Sequence, residues 1–320
     1  MVFSHFLLNQ GNKHGLAKPF LILSSLFFYG SGNWKFLPLI LFSVGFNYWA
    51  GKCLSEKLGK TKTAKQKWII IVTITLNIAL LAFFKYSDFI IENLNTLAGS
   101  QIDLIKVSLP LAISFFTFQQ IAFLVDCYRN DTVADDFSNY TLFVTFFPQL
   151  TAGPIVRHNE IIPQFDSKLI QMVNWDNIYT GMLRFSIGLF KKVVVSDMFA
   201  AWVNTSYSNV TVLSPFEAWV ASLCFTLQIY YDFSGYTDMA LGAAKMFNIN
   251  LPENFNSPYR SLNIQEFWRR WHITLSTWLR DYLYIPLGGS KRGAIRTVIS
   301  ILVTFLIGGL WHGAGWTYII

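Results

Sequence analysis

Charge is scarce in this 320-residue sequence: only 13% of the residues are charged, against roughly 25% in an ordinary soluble domain. That scarcity excludes a disordered chain, which needs low hydrophobicity and high net charge, and most water-soluble enzymes. Cysteine is also rare. Cys53, Cys127 and Cys224 stand far apart, no two at metal-ligand spacing, so neither a metal cluster nor a disulfide framework is expected. The chain has no Gly-rich phosphate loop, no Gly-x-Ser-x-Gly elbow and no nucleotide fingerprint. No histidines repeat one helical turn apart, so no metal is expected. What remains is apolar: 53% hydrophobic and 17% aromatic, with 11 Trp, 14 Tyr and 30 Phe, and a mean hydropathy of +0.39. One soluble core does not bury that much surface. The expected class is all-α, a polytopic integral membrane protein with lipid as much of its solvent.

Apolar runs at 19–31, 34–50, 68–86, 107–125, 178–206, 215–235 and 297–316 approach the roughly 17–25 residues of a spanning helix. The run at 139–152 is short and ends at Gly153-Pro154, the pattern of a re-entrant segment, which survives only against protein or a water-filled cavity. Residues 1–15 have no compact apolar core or small-residue cleavage site. Lys52, Lys57, Lys60, Lys62, Lys65 and Lys67 crowd one loop and assign it to the cytoplasm. Asp88, Glu92 and Asp103 then fall outside, and 241–296, with eight Lys and Arg, returns to the cytoplasm. The basic residues thus read as topology, and no nucleic-acid partner is expected. The chain ends inside an apolar stretch (GGLWHGAGWTYII), so a truncated C-terminus is expected.

Ionisable residues inside apolar sequence are costly and are usually paired or functional. In QIYYDFSGYTDMALG (228–242), Gln228, Asp232 and Tyr236 are four apart, as are Ser234 and Asp238, so each set shares a helix face. Such strips line a cavity or glue helices together. In the stretch 252–289, Glu266 pairs with Arg269 or Arg270 at helical spacing. Trp268, His272, Ser276 and Leu279 fall on one helical face there, and the blandest reading is an interfacial helix holding lipid phosphates. His312, in GGLWHG, lies sixteen residues after Arg296, about 24 Å along a helix.

Taken in order, FFPQLTAGPIVR (146–157), QIYYDFSGYTDMALG (228–242), PENFNSPY (252–259), EFWRRWHITLSTWLRDYLYIPLGG (266–289) and GGLWHG (308–313) resemble the membrane-bound O-acyltransferase (MBOAT) family, in the branch that acts in alginate O-acetylation. The resemblance implies one multi-helix domain over 1–320, abbreviated at its N-terminal helix and incomplete at its C-terminus, in the inner (plasma) membrane. It places the two family histidines at His272 and His312, with His312 the principal catalytic residue. Asp232, Ser234, Asp238, Arg269, Arg270 and Trp311 are candidates for lining the substrate tunnel.

The reaction so implied is acyl transfer to a hydroxyl, with no bound cofactor. The donor is acetyl-CoA or another acyl thioester, and the acceptor an exopolysaccharide such as alginate, reached through a periplasmic acetyltransferase partner. His312 then acts as general base or forms a covalent acyl-histidine; the residues leave both open. Two alternatives keep the fold and change the cargo: D-alanine to teichoic acid, or acetyl to peptidoglycan. A third is a non-enzymatic channel or transporter lined by the strip at 228–238.

Overall fold

The computed structural model describes residues 1–10, 16–55, 62–134, 136–151 and 153–318. Lys57 and Lys60 of the basic loop, Ala152 of the first motif and the last two residues lie outside that set. In chain order the helices are α1 (Val2–Gln10), α2 (Ala17–Asn33), α3 (Leu37–Ser55), α4 (Ala64–Ala98), α5 (Ile113–Arg129), α6 (Phe137–Thr145), α7 (Phe147–Leu150) and α8 (His158–Phe165). They continue as α9 (Trp175–Phe190), α10 (Asp197–Ser208), α11 (Pro215–Lys245), α12 (Ile264–Arg270), α13 (Ile273–Leu279), α14 (Ile285–Leu287) and α15 (Ala294–His312). No strand occurs among the described residues.

Local chemistry sets the helix ends. Thr63 and Gln66 form a capping box at α4, and Ser214 and Glu217 form another at α11, where Pro215 takes the first helical position; each satisfies orphan N–H groups. The apolar run expected from 107 becomes helical only at Ile113, after Pro110 and a left-handed Ala112 (φ 59°). The run 178–206 is helical from Trp175 to Ser208, with a π turn at Lys191–Ser196 between α9 and α10. The run 139–152 is broken between α6 and α7 at Phe146. Among the described residues, α4 and α15 are the helices long and apolar enough to cross a bilayer. Ile295, Val298, Leu302 and Phe305 on α15 and Trp68, Leu76, Ile78 and Phe83 on α4 are exposed, an apolar surface larger than water tolerates.

The chain forms two compact units. The first comprises 1–17, 151–156 and 163–274; the second comprises 18–150, 157–162 and 275–320. In the first unit α9 and α11 run antiparallel with their backbones touching. A Cβ on Gly188 would sit 2.6 Å from the Gly235 carbonyl oxygen, and one on Gly181 would sit 2.7 Å from that of Gly242. The two glycines of each helix are seven residues apart, two turns, so both contacts fall on one seam.

The second unit is tied by buried amides. The Ser43 hydroxyl and the Asn47 amide both donate to Gln120 Oε1, at 2.7 Å each, and Asn47 and Asn77 exchange bonds of 3.1 and 2.7 Å. These side chains join α3, α4 and α5 where a Leu would give only dispersion.

Candidate functional site

His272 belongs to the first unit and is 3% exposed. Its backbone is left-handed (φ 42°), a conformation that costs a non-glycine residue about 1–2 kcal/mol. The neighbouring loop holds it there. Asn254 accepts Ile273 N–H on its carbonyl oxygen at 2.9 Å and the Thr274 hydroxyl on Oδ1 at 2.6 Å. Thr274 Oγ1 in turn accepts Ile155 N–H at 3.0 Å, and Asn256 N–H donates to the Arg270 carbonyl at 3.0 Å. Three separate sequence motifs, GPIV, PENFN and RRWH, thereby meet around one residue. The His272 ring lies edge-on to Phe233, centroids 4.7 Å apart and planes at 89°.

The single helical face expected through Trp268, His272, Ser276 and Leu279 is not formed. α12 stops at Arg270, Trp271 is extended, and a new helix begins at Ile273. The Asn254 clamp supplies the partners that turn the chain out of the helix. The Glu266–Arg270 pair is present at 2.7 Å. The Leu262 N–H and the Arg270 guanidinium hold the Glu266 carboxyl below its ordinary range. Arg270 also donates to the Asn256 carbonyl at 3.1 Å, so it braces the loop, while Arg269 is exposed.

The polar strip of α11 faces cations of α9 and of the π turn that follows it. Asp238 accepts Arg184 at 2.9 Å and Lys191 at 2.6 Å, and Arg184 also holds Glu253 at 2.6 Å. Asp232 is paired with Lys192, whose ammonium also lies 5.5 Å from the Tyr236 ring. The π turn delivers consecutive lysines to two different acids. These pairs match the helix-gluing alternative for the strip. Ser234 is buried at 3% exposure, and its hydroxyl has no hydrogen-bond partner among the described residues.

His312 ends α15 in the second unit. Its ring lies 4.8 Å from that of Trp311, which packs against Phe115 and Phe118. Phe118 stacks on Trp278 at 4.1 Å, and Trp278 Nε1–H donates to the Phe118 carbonyl at 3.1 Å. The last turn of α15 is bound from α4: the Lys85 ammonium donates to the Trp311 carbonyl and the Tyr86 hydroxyl to the Leu310 carbonyl. A second cluster joins α5 to the π turn at Arg280–Tyr284. Tyr282 donates to Asp126 at 2.8 Å, and Asp281 pairs with Arg157 and Arg280.

Lys85, Tyr86, Arg184, Lys191 and Lys192 are not among the candidates read from sequence. A signal existed for each lysine and for Arg184, since all four stand within the predominantly apolar runs 68–86 and 178–206.

The architecture is helical, with two helices among the described residues long and apolar enough to cross a bilayer, and each unit holds one of the two motif histidines, His272 or His312, in a braced setting. A sequence profile of the MBOAT, membrane-bound O-acyltransferase family matches residues 32–320; the chain belongs to that family. It is 46% identical to a peptidoglycan O-acetyltransferase of Helicobacter pylori, over 99% of this chain and 64% of that protein. It is 40% identical to a probable alginate O-acetylase of Pseudomonas aeruginosa, over 94% of this chain and 58% of that one. With a teichoic acid D-alanyltransferase of Bacillus subtilis it shares 28% identity, over 66% of this chain and 55% of that protein. The chain thus spans less than two thirds of the length of these relatives.

Proposed function

We propose that this chain carries the acyl-transfer chemistry of a multi-pass inner-membrane O-acetyltransferase that modifies a cell-envelope polysaccharide. The observation that carries the reading is the family match across 32–320, which takes in both histidine segments. His312 is the catalytic base: its imidazole removes the proton from the attacking hydroxyl as oxygen adds to the acyl carbonyl, and returns it to the departing thiolate. His272, fixed by the Asn254 clamp, orients a reactant or stabilises the developing oxyanion. The donor is an acyl thioester such as acetyl-CoA on the cytoplasmic side. The acceptor takes the acetyl group on the far side, directly or through a periplasmic acetyltransferase.

For the acceptor, the 46% identity over 99% of the chain supports peptidoglycan ahead of alginate, the exopolysaccharide read from sequence. D-alanyl transfer has weaker support, at 28% identity over 66% of the chain. A channel has less still, because Asp232 and Asp238 of its supposed lining are ion-paired.

His312→Ala is expected to abolish base-labile acetate on purified peptidoglycan while membrane abundance stays at the wild-type level. Acetate at the wild-type level on both peptidoglycan and alginate in that variant rules the reading out. Acetate lost from alginate but not from peptidoglycan moves the acceptor and keeps the chemistry.

A further inference from the structure

A lysine inside a helix of membrane-crossing character needs a reason. Lys85 lies on α4 at the end of the apolar segment Trp68–Phe84, about 26 Å of helix rise beyond Trp68. His312 lies about 24 Å of rise beyond Arg296 on α15. Apart from Lys85 and His312, the basic residues of the two helices stand at the N-terminal flank, Lys65 and Lys67 in one and Arg292 and Arg296 beside the other. The two positions therefore sit at matching depth, and the bond from Lys85 to the carbonyl of Trp311, the residue before His312, agrees with that. The final carbonyls of a helix have no partner within it and carry the negative end of its dipole. Here two of them are taken up: Trp311 by the Lys85 ammonium and Leu310 by the Tyr86 hydroxyl. The same ammonium lies 6.0 Å from the centroid of the Trp311 ring, and that ring packs on the His312 imidazole.

We propose that Lys85 is a positioning residue for His312. With Tyr86 it pins the last turn of α15 to α4 and sets where the imidazole stands. The step from this contact to turnover rests on His312 being the catalytic base. Misplacing a reacting group by about 1 Å costs on the order of 100-fold in rate, so a cation that fixes one helix end has a large effect without touching substrate.

The test uses the chain in its membrane, with Lys85→Met, Lys85→Arg and Tyr86→Phe. Histidines are acylated with diethyl pyrocarbonate and quantified peptide by peptide. Lys85→Met is expected to change the labelling rate of His312 by about threefold or more, while His158 and His272 stay within the wild-type range. Lys85→Arg, which keeps charge and donor, is expected to restore the wild-type rate. Tyr86→Phe, which keeps the ring and loses one bond, is expected to shift His312 in the same direction by less. Wild-type labelling at His312 in Lys85→Met overturns the proposal, as does an equal change at all three histidines in both Lys85→Met and Tyr86→Phe. In acetyl transfer, Lys85→Met is expected to lower kcat about tenfold or more with KM for the donor unchanged. An active His312→Ala removes the catalytic reading and leaves the labelling result standing. An inactive His312→Ala beside a fully active Lys85→Met removes the positioning role alone.

Discussion

His272 spends conformational energy to stand where it does. Its left-handed backbone suits glycine, which bears no Cβ penalty there. His272→Gly is therefore expected to unfold at a higher temperature than His272→Ala, by about 1 kcal/mol of stability, although glycine is ordinarily the poorer of the two. Both variants lose the ring that packs on Phe233, so the comparison isolates the backbone. Thermal unfolding in detergent measures it, and a more stable Ala variant contradicts the strain. Little of this was visible from spacing. Trp268, His272 and Ser276 recur every four residues, the period of an unbroken helix; the residue that breaks it, Asn254, belongs to a loop well upstream. The RRWH and LWHG motifs were legible, but not the geometry that isolates the first histidine between two helices.

Helices themselves were easier to read, because long apolar runs force the backbone to bond within its own segment. Their ends were harder. The run ending at 86 continues as helix to Ala98, through Asp88, Glu92 and Asn93, which helices accept once lipid no longer has to surround them. Pairing between helices was half legible. The acids of α11 stand out in the sequence, whereas nothing in the spacing names their partners Arg184, Lys191 and Lys192, which come from α9 and the π turn. The glycine seam left no mark in composition. Its shortest Cβ clashes are with backbone atoms, which cannot rotate aside, so Gly188→Ala is expected to destabilise the α9–α11 pair by roughly 1–3 kcal/mol. Gly45, in α3 with nothing within 4 Å of a built Cβ, is the control: Gly45→Ala is expected to gain up to about 1 kcal/mol from helix propensity. Chemical denaturation in mixed micelles reads both. Equal losses in the two variants would mean that the seam bears no special load.

Over the whole molecule, stability carries a pH dependence that the site does not set. His158 is buried between Phe123 and Phe143, with Nδ1 2.9 Å from the Thr132 hydroxyl. Burial pushes its pKa down to about 4, against about 6.5 in an unfolded chain. Between those values the unfolded state binds the proton and the folded state does not, so stability rises with pH through that window. Acidifying from pH 7 to pH 4 is expected to remove on the order of 3 kcal/mol through this residue, at 1.36 kcal/mol per pKa unit. His158→Gln should flatten the slope of unfolding temperature against pH over that interval, and an unchanged slope would assign the dependence to other groups.

The glycine seam also bears on the order of assembly. Glycine has no rotamers to lose, so docking α9 on α11 freezes no side chain at the four closest points. Both helices leave the ribosome before residues 252–274. The pair can close as soon as α11 is inserted, and it then presents Arg184, already beside Asp238, to the loop that follows. Glu253 of that loop, one residue before the Asn254 clamp, meets a guanidinium held ready for it. The hairpin so formed is a template for the histidine loop synthesised after it.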